Sequence, residues 1–163
     1  LIRMSLPTCL MSKLELKIPP VLVTVVFALL MWLVSKLLPG ITTPIMLRVG
    51  GLIALVTVGA FFSISGVVSF RTAKTSVNPL APDACSSLVS SGIYKKTRNP
   101  MYVGFLFFLI AWGLFLSNLF SLVLCTGFFL YMNRFQIQTE EETLKSLFGE
   151  DFLTYKSKVR RWL

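Results

Sequence analysis

Two polar clusters carry the side chains able to do chemistry. The first is Tyr94-Lys95-Lys96-Thr97-Arg98-Asn99-Pro100-Met101-Tyr102-Val103-Gly104, which runs straight into an apolar segment, and the second is Glu140-Glu141-Glu142. Together they offer two tyrosines, a guanidinium, a carboxamide and three carboxylates, enough to bind a cationic or anionic group and to hold a proton. The chain has no histidine, so imidazole general-base chemistry and histidine metal ligation are excluded. Cys9, Cys85 and Cys125 form no Cys-x-x-Cys pair, so neither a disulfide framework nor a metal site is expected. Local chemistry alone also fits a plainer reading. Asn99 suits a helix N-cap, Pro100 the first helical position, and the glutamates the start of another helix, with Arg98 and a carboxylate as a structural ion pair.

The rest of the chain must bring these clusters together. In 163 residues, 55% are hydrophobic and the mean hydropathy is +0.76, far above the globular norm, so much of the surface must face lipid. The sequence predicts an all-α polytopic membrane bundle of about four transmembrane helices with a cytoplasmic helical tail. Residues 1–20 read as an N-terminal leader and cytoplasmic segment, with Met11 as a natural start, and 21–70 as a two-helix anchor. The first span, 21–38, follows Pro19-Pro20 and stops at Pro39-Gly40. The second, about 46–70, holds Gly50, Gly51, Gly59, Ala60, Ser63, Ser65 and Gly66, small residues that let helices approach closely and suggest burial in a bundle. A long polar loop covers 71–98. Spans 101–116 and 119–135 are separated only by Ser117-Asn118 and must form an antiparallel hairpin. Thr139 and Glu142 fit a capping box opening the tail helix, Gly149 a stop, and Phe152, Tyr155 and Val159 one face of a further helix.

The net charge of +9 would suggest nucleic acid in a soluble protein, but the basic residues flank apolar spans, where lipid headgroups are nearer partners. Most lie before the first span, between the second and third, and after the fourth. The positive-inside rule then puts both termini and the long loop in the cytoplasm, with both polar clusters on one membrane face.

Gly92, Tyr94, Arg98, Pro100, Tyr102 and Gly104, then Glu140, Glu141, Leu144, Phe148, Gly149, Tyr155 and Val159, reproduce a two-part spacing. That pattern resembles the isoprenylcysteine carboxyl methyltransferase family, to which phospholipid N-methyltransferases are related. The resemblance covers about the C-terminal half and implies that 71–163 is a catalytic half binding S-adenosylmethionine. It places cofactor contacts on Ser86, Ser87, Leu88, Val89, Tyr94, Asn99, Pro100, Met101, Tyr102 and Glu140. It further implies catalytic roles for Arg98, Asn99, Tyr102 and Glu141, and acceptor contacts at Arg134 and Gln136. The acceptor would be a membrane lipid or a lipidated small molecule, with no nucleic acid involved. Two departures stand out: Asn99 replaces the family histidine, and Gln136 the arginine expected four residues before the first glutamate. An isoprenylcysteine-type carboxylate, a phospholipid amine and a thiol all remain open as acceptors. Sterol-type membrane reductases share part of the first motif but not the acidic pair, and a non-enzymatic helical membrane protein would bind no cofactor.

Overall fold

The computed structural model describes residues 18–73 and 88–163. The described residues form helices and no strands: α1 (Pro20–Leu37), α2 (Ile45–Thr72), a 3-10 turn (Gly92–Lys95), α3 (Pro100–Leu116), α4 (Leu119–Tyr131), a π-helical turn (Met132–Ile137) and α5 (Gln138–Lys158). The two helices α1 and α2, of 18 and 28 residues, are long and apolar enough to cross a membrane, and α3 is a shorter apolar helix. Their outer faces carry large exposed hydrophobic side chains, among them Leu29, Trp32, Phe61 and Ile64, surface that lipid would cover.

Local chemistry sets most helix ends. Pro20 and Pro100 occupy first turns, where a missing N–H costs nothing. Helix α1 stops where Leu38 turns extended before Pro39. The α3–α4 hairpin turns at Ser117, in the left-handed region at φ 52, and Asn118 caps α4 by accepting from the Ser121 amide at 2.9 Å. That turn is pinned to the α1–α2 connection. Asn118 Nδ2 donates to the carbonyls of Leu38 and Pro39, the Ile41 amide to that of Ser117, and Arg48 Nε to that of Phe115 at 2.6 Å.

Helix α2 lies against α3 along one small-residue stripe. A Cβ on Gly104 would fall 2.6 Å from the Gly59 carbonyl oxygen, and one on Gly66 would fall 2.9 Å from Met101. Such backbone proximity replaces hydrophobic driving force in lipid. The expected burial of α2 is therefore confined to this stripe: a Cβ added at Gly50 or Gly51 would meet no other part of the described structure within 4 Å. Helix α1 packs on α4 and α3 around Val23, Met31, Leu109 and Phe128, with Phe27 edge-on to Phe128.

One local expectation at the second cluster needs correction. No helix begins at Thr139, because α4 continues through the π-helical turn into α5, so Thr139 and Glu142 form no capping box. The stop at Gly149 is real in its backbone: φ 50, ψ −120 breaks α5 into two helical pieces there.

Candidate functional site

The start of α3 and the start of α5 meet. Tyr102, one turn into α3 and buried, donates its hydroxyl to Glu140 Oε1, and Gln136 Nε2 donates to the same oxygen at 2.8 Å. Both partners are neutral. Burial is the largest influence on the Glu140 carboxyl and lifts it from 4.5 to about 7, against the lowering effect of the two hydrogen bonds. Glu140 Oε2 takes no hydrogen bond, and no cation pairs with this carboxylate among the described residues.

The adjacent Glu141 has the opposite surroundings. Arg161 binds it bidentately, Nε to Oε1 at 3.0 Å and Nη2 to Oε2 at 2.8 Å, while Arg98 Nη1 lies 3.2 Å from Oε1 and Lys156 Nζ 3.0 Å from Oε2. Burial alone would raise this carboxyl, but the bonds from Arg161 and Lys156 and the charge of Arg98 outweigh it and hold it below the ordinary range. Burial lowers the Arg98 guanidinium, opposed by Glu141 and reinforced by Arg161. A guanidinium so placed stays cationic.

The C-terminal segment straps across the first motif. Arg98 N donates to the Arg160 carbonyl at 3.0 Å, while Thr97 Oγ1 and Asn99 Nδ2 donate to that of Arg161 at 3.3 and 2.9 Å. Asn99 thus stands at the N-cap position, but its side chain makes no cap and ties down the strap instead. Asn133 Oδ1 accepts from Arg161 Nη1 at 3.4 Å and from Trp162 Nε1 at 3.1 Å, and Trp162 packs on Phe129. Tyr155, its hydroxyl raised by burial, donates to the Tyr94 carbonyl at 2.8 Å.

The structure therefore gathers Arg98, Asn99, Tyr102, Gln136, Glu140 and Glu141 around one point. Tyr94 and Val89 are buried, Tyr94 edge-on to Phe70, and Pro100 and Met101 seat α3 on Gly66. Leu88 lines a separate open groove of about 610 Å³ with Lys95, Asp151, Tyr155 and Lys158. Arg134 is exposed and bonds Gln138, away from the carboxylate pair. Ser86 and Ser87 lie outside the described residues. Sequence reasoning missed Asn133, Arg161 and Trp162, whose partners lie about 20 to 60 residues away and leave no periodic trace. Among the described residues no group of histidine, cysteine, aspartate or glutamate could hold a metal ion.

A family model described as phospholipid methyltransferase matches residues 47–151, well over half of the chain, including the first motif, both carboxylates and Gly149. The chain belongs to the phospholipid methyltransferase family. An uncharacterised protein of Haemophilus influenzae is 46% identical over 63 residues, which is 39% of this chain and all of that relative. The protein-S-isoprenylcysteine O-methyltransferases of Xenopus laevis and Schizosaccharomyces pombe are 41% and 40% identical over 76 and 77 residues, 45% and 44% of this chain. The chain spans only 25% and 30% of those two proteins' lengths. No solved structure matches it. Membership of this membrane-protein family, with two apolar helices of crossing length, makes the chain an integral membrane protein.

Proposed function

We propose that this chain is a methyltransferase that uses S-adenosylmethionine and modifies a lipid-like or membrane-partitioned acceptor. The observation that carries the reading is the half-buried Glu140 carboxylate, which among the described residues is hydrogen-bonded only by neutral groups and is open at Oε2, beside a fully paired neighbour. Such a carboxylate lacks a counter-charge in a poorly solvated place, and the ammonium group of the methyl donor supplies one. Tyr94, Asn99 to Tyr102 and the segment 86–89 complete the donor pocket in this reading, while Arg98 and Glu141 frame the reacting end. When bound, the donor's sulfonium supplies an already activated methyl group.

The protein then contributes orientation and exclusion of water. An isoprenylcysteine-type carboxylate acceptor is ionised near neutrality and needs no base, which suits a chain without histidine. A phospholipid amine or a thiol is the second reading, and the matching family model, described as phospholipid methyltransferase, favours the amine. In either case α3 and α4 complete a four-span bundle with α1 and α2. Both termini and the connection between α2 and α3 face the cytoplasm, so the donor enters from water and the acceptor from the bilayer.

The test is thermal stabilisation of the detergent-solubilised protein. S-adenosylhomocysteine is expected to raise the melting temperature in a saturable way. Stabilisation by a reduced nicotinamide nucleotide instead would point to a reductase, and stabilisation by neither would remove the methyltransferase reading.

A further inference from the structure

We propose that Arg161 is a positioning residue: seated by Asn133, it closes Glu141 into a cation cluster and so leaves Glu140 as the one carboxylate of the pair open to a cationic ligand group. The identity of that ligand rests on the function proposed above, whereas the charge arrangement does not.

The two carboxylates are sequence neighbours with contrasting partners. Among the described residues all three ion pairs go to Glu141 and none to Glu140. Of the three cations, only Arg161 reaches both oxygens of Glu141, and among the described residues only Arg161 is itself held by a third side chain, Asn133 Oδ1 at 3.4 Å. Lys156 is 43% exposed and contributes less. Arg98 reaches a single oxygen of Glu141, Oε1, through Nη1. Asn133 lies in the same π-helical turn as Gln136, which bonds Glu140. One turn of helix thus fixes the partners of both carboxylates, and the Arg161 carbonyl fixes Thr97 and Asn99 from the other side.

The charged and titratable groups around Glu140 are few. Tyr102 faces it from α3, with Tyr94 behind that ring, and Glu141 adjoins it on α5. Arg98 from the loop, Arg161 from the strap and Lys156 from α5 act on it through Glu141. Removing the Arg161 cation makes this neighbourhood more negative and Glu140 harder to ionise. Removing the Glu141 charge as well restores the original balance.

The experiment is an isotope-edited infrared titration of the Glu140 carboxyl in the ligand-free, full-length protein, with the band identified by its loss in Glu140→Gln. Arg161→Met should move the Glu140 midpoint upward by about one pH unit, as expected for a unit charge several ångströms away at an effective dielectric of about 20. Arg161→Lys should stay near the parent, and Arg161→Met with Glu141→Gln should return to it. Asn133→Ala, which keeps the cation but frees it, should shift the midpoint upward by a smaller amount and serves if Arg161→Met does not fold. Unmoved midpoints in the folded variants, with melting temperatures lowered alike in the single and double changes, would make Arg161 a mere latch and overturn the proposal. S-adenosylhomocysteine affinity is measured on the same proteins. Absent binding in all of them, with the titration pattern intact, would retire the methyl-donor reading while leaving the charge arrangement standing.

Discussion

Replacing Glu140 by glutamine should make the protein more stable and a poorer binder at once. The carboxyl sits at about 7 in the folded chain against 4.5 when solvated. At about 1.4 kcal/mol per pH unit, that separation is worth about 3 kcal/mol. The folded state holds the proton more tightly, so stability falls as pH rises from 4.5 to about 7, and the full cost is present above that. Glutamine keeps an acceptor for Tyr102 and Gln136 but cannot ionise, so the cost disappears. At pH 8 Glu140→Gln should melt on the order of 5–10 °C above the parent, using about 2–4 °C per kcal/mol for a chain of this size, and the curves should converge near pH 4. Affinity for S-adenosylhomocysteine should fall by about 1.5–3 kcal/mol, the usual worth of a hydrogen bond to a charged group, or roughly ten- to a hundredfold. Melting curves across pH and calorimetry on one detergent preparation read both effects. Parallel pH profiles for parent and variant would show that Glu140 is not the poorly solvated, uncompensated carboxylate argued above, and unchanged affinity would return it to a structural role.

Glu141→Gln should behave oppositely, lowering stability by about 3–5 kcal/mol at neutral pH by leaving buried cations unpaired. The parent, whose Glu141 lies below 4.5, should lose that contribution only in acid, which a melting series from pH 7 to 3 would show. Asn99→Leu should cost about 1 kcal/mol by removing the shorter of the two hydrogen bonds to the Arg161 carbonyl, which keeps Thr97, with no loss of a helix cap, and circular dichroism should show α3 intact. Gly104→Val should push α2 from α3 against backbone atoms, costing about 1–3 kcal/mol or preventing folding, whereas Gly50→Val meets open space and should leave the melting temperature nearly unchanged. In a background without native cysteines, Leu119→Cys should react with an impermeant thiol reagent from outside intact cells and Ser90→Cys should not. The reverse result would invert the proposed topology.

The parts legible in the sequence were those decided within a few residues. Pro20, Pro39-Gly40, Pro100 and Ser117-Asn118 punctuate apolar runs, and the helices begin and end at them. Glu140 and Tyr102 could be placed in one site only through the family spacing, because they are separated by the whole hairpin. Helix α5 misled for a physical reason. The residues 119–148 contain no proline, so nothing stops α4, and the acidic run that resembled a helix start is simply where a continuing helix leaves apolar surroundings. Gly50 and Gly59 are chemically identical, yet only the second touches α3, since the partner helix and not the glycine decides which face is used. The strap was invisible because Arg161 and Trp162 act through long-range contacts that leave no periodic pattern in the sequence.

The π-helical turn sets the phase of the whole acidic segment. Such a turn accommodates one residue more than an α turn, and each residue of an α-helix advances the side chains by about 100°. Removing one residue between Met132 and Ile137 would let the helix run on as regular α and swing Glu140 about a quarter-turn or more from Tyr102, with every residue type conserved. A chain carrying an unaltered acidic pair behind a one-residue deletion would therefore present a different face to α3, and length in this turn matters to the site as much as composition does.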